Sequence, residues 1–160
     1  MIVRRADLGS QLDADAVLSL LQAYAMDPMG GGDPLSDYVS LNVIDGLRAM
    51  GETCRVFLAF ADNNAVGLAV CFVSFSTFKA KRLLNIHDFF VRREQRGKGI
   101  AQRLLHSIEN ESRVDGFCKI TLEVLSNNIA AQACYKKFGF EAYVLQEEAG
   151  HALFWQKNLL

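Results

Sequence analysis

The segment that most limits how this chain folds is Phe89-Phe90-Val91-Arg92-Arg93-Glu94-Gln95-Arg96-Gly97-Lys98-Gly99-Ile100-Ala101. An apolar strand pattern, begun at Leu83, runs into a basic glycine-bearing turn, and Ile100 then opens a helix with Leu104, Leu105 and Ile108 on one face. A strand, glycine turn and helix in that order suit an anion. Glycine lets the backbone come close, the N–H groups of the first helical turn point outward, and the helix dipole adds partial positive charge. Arg96 and Lys98 add full charge. Taken alone, two glycines before a helix are equally a tight connection, so the surroundings must decide. A Walker-type loop is excluded because Ile100 follows Gly99, and the Rossmann spacing fails at Gln102.

The rest of the chain supplies a sheet for this unit. Ile2 to Ala6 alternates as a strand, and Asp13 to Ala25 carries Ala16, Val17, Leu20, Leu21 and Tyr24 at helical spacing. Pro28, Gly30-Gly31-Gly32 and Pro34 form a loop before a second helix over Leu35 to Met50, with Gly51 at its end. Val56–Phe60 and Ala65–Ser74 flank the turn Asp62-Asn63-Asn64 as an antiparallel hairpin. After the glycine turn come a strand at Lys119–Leu125, a helix at Asn128–Phe138, and closing strands at Glu141–Leu145 and Ala152–Lys157. The order is β-α-α-β-β-β-α-β-α-β-β, a mixed α/β (α+β) sheet with helices packed on it. With 160 residues and no repeat or linker, one domain over 1–160 is expected.

Charge excludes several functions. Seventeen basic and 18 acidic residues give a net charge of -1, which offers no field for nucleic acid or an anionic membrane. Charged residues break every apolar run well short of the roughly 18 residues a span needs, and the amino terminus lacks a signal-peptide run. A cytoplasmic protein is expected. Cys54, Cys71, Cys118 and Cys134 show neither C-x-x-C pairing nor zinc-ligand spacing, so they read as buried thiols with no metal site.

A second constellation runs Asn128-Ile129-Ala130-Ala131-Gln132-Ala133-Cys134-Tyr135-Lys136-Lys137-Phe138-Gly139-Phe140. Asn128 starts a helix, Tyr135 returns near its face two turns later, and Gly139 ends it. By itself this is a capped helix with a core tyrosine. The R-x-x-G-x-A turn followed by N-x6-Y-x3-G-F closely resembles the GNAT acyltransferase superfamily, and the preceding β-α-α-β-β order is similar to its topology. The resemblance implies a mostly antiparallel mixed sheet with helices on both faces, and acetyl-CoA as co-substrate. It also implies that the backbone at Phe89 and Val91 holds the pantetheine arm, that the amides of Arg96, Gly97, Lys98, Gly99, Ile100 and Ala101 hold the pyrophosphate, and that Asn128 orients CoA or caps its helix. Ser76-Thr77-Phe78, Ile86 to Val91 and Leu122-Glu123-Val124-Leu125 are weakly similar to the diamine (spermidine/spermine) acetyltransferases. Those enzymes carry glutamate where His87 stands, while Asp88 matches.

The chemistry then needs a base and an acid. A primary amine with a lysine-like pKa of about 10.4 must lose a proton before it attacks a thioester. His87 is the candidate acceptor of that proton, because free imidazole titrates at about 6.5, with Asp88 or Glu123 acting through water as competitors. Tyr135 would protonate the departing thiolate, and backbone N–H of Phe89 or Val91 would polarise the acyl carbonyl. Asp27 and Asp33, in the loop between the first two helices, together with Asp88 and Glu123, are candidate holders of a cationic acceptor. The expected activity is transfer of acetyl to the amine of a small molecule by direct attack in a ternary complex. A protein lysine or N-terminal acceptor, and a non-catalytic acyl-CoA-binding module, are the competing readings. A homodimer is compatible with the sequence.

Overall fold

The computed structural model describes residues 1–144 and 152–159. Strand β2 (Cys54–Ala61), inside the sheet, is apolar apart from Arg55 and buried over most of its length, as a strand covered from both sides must be. It pairs with β1 (Ile2–Arg5) on one edge and β3 (Asn64–Ser76) on the other, and β3 pairs with β4 (Lys81–Val91), all antiparallel. A short parallel ladder of Leu84–Ile86 with β5 (Ile120–Leu122) completes the order β1-β2-β3-β4-β5.

The β2–β3 hairpin closes through Asp62 and Asn63, both at positive φ (49° and 63°), the conformation a two-residue hairpin turn needs. Alternation along β2 sends Val56 and Leu58 to a cluster with Val17, Leu20 and Leu21 of α1 (Gln11–Ala25) and with Leu68, Val70 and Phe90. Leu35, Val43, Ile44 and Leu47 pack on it from in and around α2 (Asp37–Ala49), where Ser36 caps the helix by accepting the Val39 N–H at 3.2 Å. On the opposite face lies α3 (Ile100–Val114), burying Ile100, Leu104, Leu105 and Ile108. It sits close because Gly67 has no side chain: a Cβ there would lie 3.1 Å from Leu104 and 3.2 Å from Ile100.

The chain forms two compact units, residues 1–122 and residues 123–160. The second holds α4 (Ile129–Phe138), capped by Asn128 and ended by Gly139 at φ 108°. The closing strand expected at Glu141–Leu145 shows only a single bridge at Val144 among the described residues, and Leu145 lies outside them. Ala152–Lys157 carries no strand among the described residues, so the sheet as described has five strands. Strand β5 is also shorter than expected. Of the four thiols, Cys54 and Cys71 are buried and Cys118 and Cys134 only partly so, and none is in a disulfide among the described residues. Among the described residues no helix is long and apolar enough to cross a membrane, and no cluster of metal-ligating side chains occurs.

Candidate active site

Strand β4 leads directly into the anion turn. Val91 ends the strand, Arg93–Gln95 make one 3-10 turn, and Gly97 (φ 77°) and Gly99 (φ 78°) adopt the left-handed region before α3 begins. The Arg103 N–H donates to the Gly99 carbonyl at 3.2 Å, which opens the helix. Among the described residues the N–H groups of Gly97, Lys98, Gly99, Ile100 and Ala101 donate to no protein acceptor. A Cβ placed at Gly97 or Gly99 would meet nothing within 4 Å, so the two glycines serve conformation, and the space beside them is open. Five consecutive outward amides at a helix start form an anion cradle.

The flanking cations are more committed than the sequence suggested. The Arg96 guanidinium donates from Nε to the Val91 carbonyl at 3.0 Å and from Nη2 to Asp27 at 2.7 Å, and lies 5.7 Å from the Phe90 ring centre. Lys98 Nζ donates to the Gln95 side chain at 2.9 Å. Arg92, which sequence reasoning did not single out, fixes the strand end: its N–H donates to the Val66 carbonyl, its Nε to Ala65 and its Nη2 to Ser19 of α1. Its only sequence signal is its place between strand and turn.

Upstream, the β3–β4 register slips by one residue. Val70 faces Asp88 but Cys71 faces Ile86, leaving His87 as the extra residue of a β-bulge. The bulge turns two consecutive side chains to one face. His87 meets the edge of Phe72 with ring centres 5.4 Å apart, and Phe72 packs on the cluster beneath α1. Asp88 acts electrostatically on Tyr24, which is on α1 and packs against Phe90 at 5.6 Å. Among the described residues the Asp88 carboxylate has no hydrogen bond and no ion-pair partner, and burial raises its pKa, partly opposed by the charge of His87. Burial also raises the Tyr24 phenol, helped by the Asp88 and Asp27 carboxylates. Tyr24 thus belongs to this face, although its helical spacing marked it only as core.

Asp27, expected to hold an acceptor cation, accepts from Arg96 and from the Met29 N–H at 3.0 Å. Burial alone would raise its pKa; the Met29 amide and Arg96 together outweigh it and hold the carboxyl below its ordinary value. Asp33 is exposed in the same loop. Phe89 faces Ala69 and Val91 faces Gly67 across the ladder, on the α3 side of β4. Arg96, the anion cradle, His87, Asp88 and Asp27 are therefore brought together by β4 and its two ends.

In the second unit, the Asn128 side chain accepts from the Ala131 N–H at 3.2 Å, a helix cap. Tyr135 is buried with its ring 5.8 Å from Phe140, and the Phe140 N–H returns to the Tyr135 carbonyl at 3.0 Å. Glu123 is exposed at the start of this unit.

A strand with a bulge runs into a glycine turn and a helix start whose amides have no protein acceptor among the described residues. The model of the acetyltransferase (GNAT) family matches residues 18–140, and the chain belongs to that family. It is 28% identical over 97 residues to YhfO of Bacillus subtilis, described as an uncharacterized N-acetyltransferase; the match covers 59% of this chain and 65% of that protein, just under two thirds of its length. Among solved structures, a probable acetyltransferase superposes with a TM-score of 0.79 at 23% identity, covering 99% of this chain and 100% of the other. An aminoglycoside acetyltransferase from an uncultured soil metagenomic sample, in complex with trehalose, gives 0.75 at 18% identity over 98% of this chain and 96% of the other. Likenesses at this level establish the fold, a mixed sheet with helices on both faces.

Proposed function

We propose that the chain transfers the acetyl group of acetyl-CoA to the primary amine of a small molecule by direct attack in a ternary complex. The observation that carries this reading is the row of five outward amides from Gly97 to Ala101, set between Arg96 and Lys98 at the end of a bulged strand. It suits a pyrophosphate, with the pantetheine arm running back along β4 past Val91 and Phe89 and the thioester near His87 and Asp88.

In the proposed reaction the ammonium loses a proton to His87, directly or through water, with Asp88 holding the cation beforehand. The amine nitrogen bonds to the acyl carbon and pushes negative charge onto the carbonyl oxygen, which a β4 backbone N–H stabilises. The C–S bond breaks, the Tyr135 phenol gives its proton to the CoA thiolate, and the second proton, lost by the attacking nitrogen as it becomes the amide, returns through water to the phenolate, while the first leaves His87 to solvent. Glu123 remains a competing route for the first proton, and Asn128 orients CoA only by fixing the start of α4. Asp33 is left as a loop carboxylate able to draw in a cationic acceptor.

The reading is tested by titrating acetyl-CoA into the protein by calorimetry, with Gly99→Ala and Gly99→Asp beside the wild type. Both variants strain a positive φ, but only aspartate puts a negative charge where the phosphates come. Gly99→Asp should lose at least about tenfold more affinity than Gly99→Ala. Equal affinities in the two folded variants refute the pyrophosphate assignment.

A further inference from the structure

Resting on that reading, we propose that the acceptor is a monoamine with an aromatic or aliphatic body, an arylalkylamine in its simplest form, and not a polyamine or an aminoglycoside. The argument is a count of charges on the α1 face of β4, joined to what lines it.

The bulge at His87 delivers one carboxylate to this face, Asp88, and among the described residues nothing neutralises it. A part-buried carboxylate without a hydrogen bond or a counter-ion is costly to hold, so a site of this kind is completed by a cationic ligand. The second carboxylate, Asp27, is already matched one for one by Arg96 at 2.7 Å. A further guanidinium, Arg93, is near enough to act on Asp27 as well. Among the described residues Asp88 is thus the carboxylate of this face without an ion pair, opposed only by the neighbouring His87, while two arginines act on Asp27. A single ammonium is accommodated at Asp88; a second one, three or four methylenes along the same molecule, finds Asp27 already taken by Arg96, and the remaining loop carboxylate, Asp33, is exposed to solvent.

The walls decide the rest of the ligand. Tyr24 and Phe90 pack ring to ring at 5.6 Å, and Phe72 meets His87 at 5.4 Å, so the groups around Asp88 are mostly aromatic. Leu35 and Val43, only partly buried, pack on the same cluster. Such a lining rewards an apolar body and, through the ring faces, an ammonium carried on it. Among the described residues its polar groups are few, the Tyr24 phenol, His87 and Asp88, against the many hydroxyls of an amino sugar.

The test uses the full chain at saturating acetyl-CoA, reading CoA release with 2-phenylethylamine, spermidine and kanamycin. The expected kcat/KM for 2-phenylethylamine exceeds each of the others by about 100-fold, the scale on which an unmatched charge is rejected. Arg96→Gln, which frees the Asp27 carboxylate, should move the spermidine to 2-phenylethylamine ratio at least about tenfold toward spermidine. Any effect of that variant on acetyl-CoA cancels in the ratio. A preference for spermidine or kanamycin, or an unmoved ratio in Arg96→Gln, overturns the proposal. Calorimetric binding of 2-phenylethylamine to the CoA complex separates the two levels. Binding without turnover keeps this acceptor class and removes the acetyl-transfer reading, whereas CoA binding without amine binding removes the acceptor class alone.

Discussion

Arg96 and Asp27 form a 2.7 Å ion pair that joins the turn ahead of α3 to the loop behind α1, 69 positions earlier in the chain. The carboxylate is nearly buried, with 10% of its side chain exposed, while the arginine is 46% exposed. Because Arg96 also holds the Val91 carbonyl and lies over Phe90, one side chain fixes the strand end, the anion turn and the α1–α2 loop together. The α1–α2 loop is therefore mechanically tied to the glycine turn ahead of α3, the two places where we propose that acceptor and co-substrate bind.

The pair should register in stability with a definite dependence on pH. The Asp27 carboxyl is held below its unfolded value, so its contribution is complete above the unfolded pKa and is lost as pH falls through the folded one. Asp27→Asn should cost about 1 kcal/mol at pH 7, a figure already reduced for the solvent screening at Arg96, and almost nothing in acid once the wild-type carboxyl is protonated. Urea unfolding of Asp27→Asn, Arg96→Gln and the double variant at neutral and acid pH measures this. Additive effects at pH 7 would show that the two residues act independently.

That pair also marks where sequence reasoning stops. The glycine turn, the helix starts at Ser36 and Asn128 and the Asp62-Asn63 hairpin are local, set by backbone preferences of a few adjacent residues, and they are legible without a structure. The bulge is not legible, because Leu83 to Val91 is apolar enough on both faces that a one-residue slip at His87 leaves no break in the pattern. Plain strand alternation would put Asp88 on the face opposite His87, whereas the slip brings both to the α1 side. Tyr24 fits helical periodicity as core, and only the packing of α1 across β4 gives it a polar role. Asp27 was found as an acidic loop residue, but its partner lies too far along the chain for spacing to reveal.

Tyr135 is buried and keeps its ring against Phe140, so Tyr135→Phe removes the hydroxyl with little change in packing. If the phenol protonates the departing thiolate, kcat should fall about 10²–10⁴-fold while acetyl-CoA affinity changes little. Single-turnover measurement makes the chemical step visible. Unchanged single-turnover rates would leave Tyr135 as a packing residue of α4.

The sharpest separation of function from architecture falls on Asp88. Its carboxyl is raised by burial, so between the unfolded and folded pKa values the native state holds a proton that the unfolded chain has lost. Stability attributable to this group therefore falls as pH rises through that window, and the deficit persists above it. Replacing the carboxylate by the neutral Asp88→Asn should raise the melting temperature at pH 7 and leave it unchanged in acid. If Asp88 holds the amine as proposed, the same variant should raise KM for the amine by about 10–100-fold, since the carboxylate without an ion pair on this face is gone. In the wild type the acid limb of kcat/KM for the amine should lie above the range of an ordinary carboxylate, and Asp88→Asn should flatten it. His87→Ala should act differently, lowering kcat with little change in amine KM if the imidazole takes the proton. A structural carboxylate would give the opposite pattern, with Asp88→Asn less stable at pH 7 and the amine KM unmoved, and that result would withdraw Asp88 from the site.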